Sequence, residues 1–203
     1  MTNTLHRGDL PDDLKLEGDI AVDTETMGLV PHRDRLCLVQ VSAGDGDAHL
    51  VQVGPGQRQA PNLARLLEDP KRTKIFHFAR FDIAVLNHYL GIRCAPVYCT
   101  KIASRLTRTY TDKHGLKDLC RELLGVEISK QQQSSDWGAE KLTDSQLDYA
   151  ASDVLYLHRL RAVLDEMLAR SGRRALAEAC FNFLPARATL DLAGWPDEDI
   201  FAH

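Results

Sequence analysis

The apolar positions of this chain change period along its length. In "GDIAVDTETMGL", residues 18–29, they alternate as in a strand, with Ile20 and Val22 on one face and Ala21, Asp23 and Glu25 on the other. "RLCLVQVS" (35–42) and "AHLVQV" (48–53) read as two further strands, joined by the Gly- and Asp-rich turn "AGDGD". Short connections between them predict an antiparallel meander. The period then becomes mixed: "PNLARLLED" reads as a short helix opening on proline, "TKIFHFA" as a buried strand, and "RFDIAVLNHYLG" as a helix stopped by Gly91. Beyond about Ala95 the pattern is mostly helical. "HGLKDLCRELLG" carries Leu116, Leu119, Leu123 and Leu124 on one face. A long helix runs from a Thr143 cap through Leu147, Ala150, Val154, Leu157, Leu160, Leu164 and Leu168 to Gly172. "RRALAEACFNFLPAR" gives one more helix, and "ATLDLAGWPDEDIFAH" a tail. The elements predict one α/β domain, a mixed sheet flanked by helices.

Asp23 and Glu25 stand out against the apolar run that contains them. Two carboxylates about 5 Å apart at an effective dielectric near 20 repel by about 3 kcal/mol, so a pair beside a core calls for a neutralising cation. Asp82 adds a third acid, in the first turn of the helix after "KIFHF", at a sheet edge where it can face Asp23. Local attraction to a helix N-terminus explains that residue equally well on its own. Tyr149 and Asp153 are four apart in "DYAASDV" and share one helix face. Together they make the pattern D-x-E, D, Y-x-x-x-D. All-oxygen ligation selects Mg2+ or Mn2+ over zinc, and two such ions can clamp the attacking and leaving oxygens of a phosphoryl displacement. The expected chemistry is phosphodiester hydrolysis, with the tyrosine hydroxyl orienting the attacking water.

Composition narrows the setting. At 203 residues, 44% hydrophobic and 27% charged, the chain has room for one domain with a sizeable core. It lacks any run of about 18 uncharged apolar residues, and its first residues are polar and acidic, so the expectation is a soluble, cytoplasmic protein without a membrane partner. The five cysteines contain no CxxC pair and are expected to be reduced structural thiols. A net charge of −4 argues against a sequence-independent grip on long nucleic acid but leaves room for a short one. The basic clusters at Lys71–Lys74 and Arg33–Arg35 read as solvated surface.

The residues "VDTET", "HFARFD" and "YAASDVLYL" resemble the three exonuclease motifs of the DEDD superfamily in its tyrosine-bearing branch, the ribonuclease D-like family. "LCLVQVS" and "LLGVEISKQQQSSDWGAEKLTDSQLDYAASDV" extend the resemblance over residues 18–168. It implies a ribonuclease H-like sheet and two metal ions per site. Asp23 would bridge both ions, Glu25 and Asp153 would complete the first site, and Asp82 would reach the second. Tyr149 would hold the nucleophilic water, and a nucleoside 5'-monophosphate would leave from the 3' end. Thr24, Thr26, Leu29, His77, Phe81, Lys130 and Trp137, in or beside these motifs, are the candidate substrate contacts, with a structural role for His77 as the alternative. Leu29 matches the segment of oligoribonuclease in which a leucine wedges between two bases, and a core leucine in a turn is the other reading.

About 35 residues follow Leu168, whereas ribonuclease D carries helical nucleic-acid-binding domains after its nuclease domain, so a catalytic domain almost alone is the expectation. The chain therefore resembles most the small single-domain nano-RNase C type, which implies short RNA, down to dinucleotides, as substrate and a ring-shaped homo-oligomer, an octamer. The expected division is an N-terminal segment over 1–17, the exonuclease domain over 18–185, and a tail over 186–203 that is a candidate oligomer interface. Two alternatives stand: trimming of DNA or structured RNA 3' ends by the same chemistry, and a catalytically silent nucleic-acid-binding protein.

Overall fold

Residues Asn3–Arg7 form a first strand, β1, which the largely polar sequence NTLHR does not announce. β2 (Ile20–Thr26), β3 (Leu36–Ser42) and β4 (Ala48–Gln52) follow as the antiparallel meander that the alternation predicts. Then come α1 (Pro61–Leu67), β5 (Lys74–Phe76), α2 (Ala79–Leu90), β6 (Val97–Cys99) and α3 (Thr100–Thr107). α4 (Leu116–Leu119) widens into a π turn over Cys120–Leu124. α5 (Asp144–Leu155), α6 (Leu157–Arg170) and α7 (Arg174–Leu192) complete the order. The computed structural model describes residues 2–129 and 131–203, so the expected substrate contact Lys130 lies outside the described residues.

The six strands lie in the order β1-β4-β3-β2-β5-β6. β2 is interior, antiparallel to β3 and parallel to β5, and β6 continues the parallel half. Because β2 and β5 run the same way, their carboxyl ends open on the same edge. A crevice outside such ends is where open α/β sheets place ligands. This brings the end of β2, with Asp23 and Glu25, next to the start of α2, with Asp82. α5 lies across β2, β3 and β4, while α6 turns away to pack on α3 and β5 and α7 packs on α2. A large apolar core fills the interior, and a smaller cluster of Cys37, Leu38, Leu50, Trp137, Leu142 and Ala150 lies under α5.

Several expectations need correction. Within the expected N-terminal segment, β1 pairs in parallel with β4 at the sheet edge and so is part of the sheet. The long helix expected from Thr143 to Gly172 is two helices, broken at Tyr156, because α5 and α6 bury their apolar faces against different elements. The last helix runs through Pro185 to Leu192, so residues 186–192 are helix rather than tail. Asp191 near its end is buried and pairs with both Arg80 and Arg187. Those guanidinium groups also reach the Pro196 carbonyl, and Arg187 the carbonyl of Glu198, so the tail bends back over its own domain.

The basic cluster at 71–74 is not wholly surface either. Lys74 is fully buried and its Nζ donates to the carbonyls of Asp69, Arg72 and Ala95. Three acceptors offset the cost of desolvating the ammonium group. The thiols are free as expected, with Cys37, Cys94, Cys99 and Cys120 buried. No helix among the described residues is long and apolar enough to cross a membrane.

Candidate active site

Alternation along β2 puts Asp23 and Glu25 on one face, and the capping box of α5 fixes the helix that meets them. Thr143 accepts from the Gln146 backbone N–H while the Gln146 side chain accepts from the Thr143 N–H, which sets where α5 begins. From that start, Tyr149 and Asp153 project one turn apart toward β2. One carboxylate oxygen from each of Asp23, Glu25 and Asp153 lies within 4.8 Å of the others. Asp82 stands outside that trio and is 4% exposed. Its Oδ1 accepts from Thr24 Oγ1 at 2.6 Å.

Burial acts on all four acids, and repulsion by neighbouring carboxylates adds to it at Asp23, Glu25 and Asp82. Burial, reinforced by Asp82, Asp153 and Glu25, pushes Asp23 well above the usual carboxylate range. Glu25 is pushed up to about 9 by burial and by Asp153 and Asp82. Burial raises Asp82 to about 7 although the Thr24 hydroxyl and backbone amides pull the other way. It raises Asp153 to about 7 against the Tyr149 hydroxyl. Burial and the surrounding carboxylates also raise Tyr149, so its hydroxyl keeps its proton at neutral pH. Four acids that resist ionising together would be neutralised by a bound cation. The donor trio offers oxygen and no sulfur or nitrogen, which fits a hard divalent ion.

Asp23, Glu25 and Asp153 open into a cavity of about 640 Å³. Thr24, Thr26, Leu29, His77, Phe81, Trp137, Tyr149 and Asp153 all line it. The structure separates the expected substrate contacts by what each side chain already does. Thr24 is buried and its hydroxyl donates to Asp82, so it supports that acid. Thr26 Oγ1 donates to the Gly28 carbonyl at 2.5 Å and fixes the turn after β2. Leu29, at 86% exposure, is not a core leucine and stands free on the cavity rim. A Cβ at Gly28 would meet the Asp34 carboxylate, which accepts from the Val30 N–H and from Arg33 beside the turn that presents Leu29.

His77 and Trp137 are more tightly held than their place in the motifs suggests. The Thr100 hydroxyl donates to the Phe76 carbonyl, so its oxygen accepts from the Nδ1–H of His77, at 2.9 Å. Burial, with Lys101 and His114 nearby, lowers His77 to about 3, and the ring is neutral. Trp137 is 2% exposed and packs against the Tyr149 ring.

Other contributors escaped the sequence reading. Gln40 lies opposite Asp23 in the ladder, and its Nε2 donates to Asp23 Oδ2 at 3.4 Å. The signal was there, a lone amide in the apolar run "LCLVQVS". Lys101 and Lys117 line the cavity and supply positive charge, with no motif to mark them. Phe78 is the one non-glycine among the described residues with a left-handed backbone, φ 72°, and Lys101 Nζ sits 4.3 Å from its ring centroid.

A family model described as 3'-5' exonuclease matches residues 8–169. Ribonuclease D of Gluconacetobacter diazotrophicus is 34% identical over 160 residues, covering 79% of this chain and 40% of that protein. The chain thus spans about two fifths of the length of the curated relatives it matches. The solved structure of Brucella melitensis NrnC with bound Mg2+ is 61% identical, covers 100% of both chains and superposes with a TM-score of 0.95. NrnC of the same organism bound to pGG is 62% identical over 100% of this chain and 99% of that one, with a TM-score of 0.96.

Proposed function

The chain belongs to the 3'-5' exonuclease family, and on that footing we propose that it is a divalent-metal-dependent 3'-5' exoribonuclease of short oligonucleotides. Its substrates would run down to dinucleotides and its products would be nucleoside 5'-monophosphates. The observation that carries this reading is the meeting of Asp23, Glu25 and Asp153 oxygens within 4.8 Å on the wall of a cavity rimmed by the exposed Leu29. The fold around them is nearly that of an enzyme seen with Mg2+ and with pGG.

Asp23, Glu25 and Asp153 would hold one of two Mg2+ or Mn2+ ions and Asp23 with Asp82 the other, supplying water of lowered pKa and charge neutralisation for an in-line displacement. The side chains do the rest. Thr24 holds the Asp82 carboxylate in one orientation, and Gln40 does the same for Asp23. The protonated Tyr149 hydroxyl orients the attacking water toward the terminal phosphodiester. His77, neutral and tied to Thr100, is not a general acid here. Leu29 offers an apolar blade that separates the last two bases. Lys101 and Lys117, on the wall of the same cavity, meet the substrate's phosphates.

Short length follows from the same surface. A cavity of about 640 Å³ is of the size that takes a small ligand, and a net charge of −4 gives little counterion-release affinity for a long polymer. The family resemblance adds a homo-oligomeric ring, an octamer, for which the exposed Trp195, Ile200 and Phe201 of the tail are the interface candidates. Incubation of labelled short RNA with Mg2+ tests the chemistry. The expected product is a nucleoside 5'-monophosphate, lost on EDTA treatment and in Asp23→Asn; product formation that survives both would overturn the reading.

A further inference from the structure

We propose that Trp137 is a positioning residue for Tyr149, a role that rests on the reading of Tyr149 given above. The two rings lie 6.0 Å apart between centroids, tilted by 38°, and both side chains line the catalytic cavity. Tyr149 needs such a neighbour. α5 fixes its backbone, but the ring is only half-buried and faces an open groove, so its own rotamer freedom would scatter the hydroxyl. An indole packed beside it removes that freedom.

The indole is itself held from several sides. The Asp136 carbonyl accepts from Gln146 Nε2 at 3.2 Å, and Gln146 is the capping-box residue three positions before Tyr149 on the same helix. The Gly138 carbonyl accepts from Arg35, and the carbonyls of Ala139 and Glu140 accept from Gln52. The segment around Trp137 is therefore tied both to α5 and to the strands beneath it. On its inner side the ring packs in the cluster with Cys37, Leu38, Leu50, Leu142 and Ala150.

Among the described residues, no protein group accepts from the buried Trp137 Nε1. Nor is a side chain 2% exposed a ready partner for a substrate base. A bulky, anchored ring beside the catalytic tyrosine remains as its contribution.

The test is steady-state kinetics of Trp137→Leu and Trp137→Phe, each in the wild-type and Tyr149→Phe backgrounds, on a short RNA with Mg2+. In the wild-type background Trp137→Leu is expected to lower kcat by about 10- to 50-fold with KM changed by less than about threefold, the cost of misplacing a catalytic group. In the Tyr149→Phe background the same change is expected to lower kcat by less than about twofold, because the partner it acts through is gone. Trp137→Phe keeps a ring and should show the same pattern with a loss of about two- to fivefold in the wild-type background; it decides the matter if Trp137→Leu does not fold. A raised KM with kcat retained would make Trp137 a substrate contact, and equal losses in both backgrounds would make it independent of Tyr149; either overturns the proposal. A Tyr149→Phe enzyme with wild-type kcat would instead overturn the reading of Tyr149, and the proposal with it.

Discussion

The hydroxyl of Thr24 donates to Asp82 Oδ1 at 2.6 Å across the junction of β2 and α2. The residue between Asp23 and Glu25, pointing away from both, thus holds a third acid from another element. The bond links two of the sequence motifs directly and explains why a buried threonine stands between two carboxylates. Hydrogen bonds to charged groups contribute about 1.5–3 kcal/mol. Thr24→Val should lower kcat by about tenfold or more while Thr24→Ser stays near wild type, each 1.4 kcal/mol being worth tenfold. Equal activity of the two variants would deny Thr24 this role.

Glu25 gives a prediction about pH and stability. Its folded-state value, about 9, lies above the ordinary 4.5, so between these the folded protein keeps a proton that the unfolded chain has released. Stability of the metal-free protein must therefore fall as pH rises through that window. Glu25→Gln removes the contribution. Its melting temperature in EDTA at pH 8 should exceed that of wild type by about 2–4 °C for each kcal/mol recovered, although the variant is inactive. At pH 4 the difference should vanish. Wild-type stability in EDTA that is flat from pH 5 to 9 would contradict the electrostatic account.

Leu29 separates binding from folding. At 86% exposure it gives up almost no buried area on truncation, so Leu29→Ala should leave the melting temperature unchanged. As the blade between the last two bases it should matter for substrate alone, raising KM by about 10-fold, in line with the 1–2 kcal/mol expected of one desolvated apolar side chain. Unchanged kinetics would return Leu29 to ordinary surface.

How much of this was legible in the chain depends on how local each signal was. The acids were readable because alternation in "IAVDTET" and the four-residue spacing of Tyr149 and Asp153 are properties of single elements. β1 was not, since its strand identity comes from pairing with β4 more than 40 residues away, and its own residues carry little apolar pattern. β6 is three residues long and leads straight into α3, too short to show a period. The break at Tyr156 was hidden by a helical period that runs through both helices, although they pack on different partners. Lys74 read as surface because nothing local shows that three carbonyls converge on its ammonium group. The roles of Thr24, Gln40 and Trp137 likewise depend on neighbours brought in by the fold. A motif marks where such residues are, and contacts decide what they do.

The central claim is that this site finishes short RNA. Its most direct test is initial turnover, with Mg2+, of a labelled diribonucleotide against a 20-mer ending in the same two nucleotides, at equal concentrations of 3' ends. The account predicts faster turnover of the dinucleotide, by at least about tenfold, equivalent to about 1.4 kcal/mol of transition-state stabilisation. Equal or faster turnover of the 20-mer would contradict it.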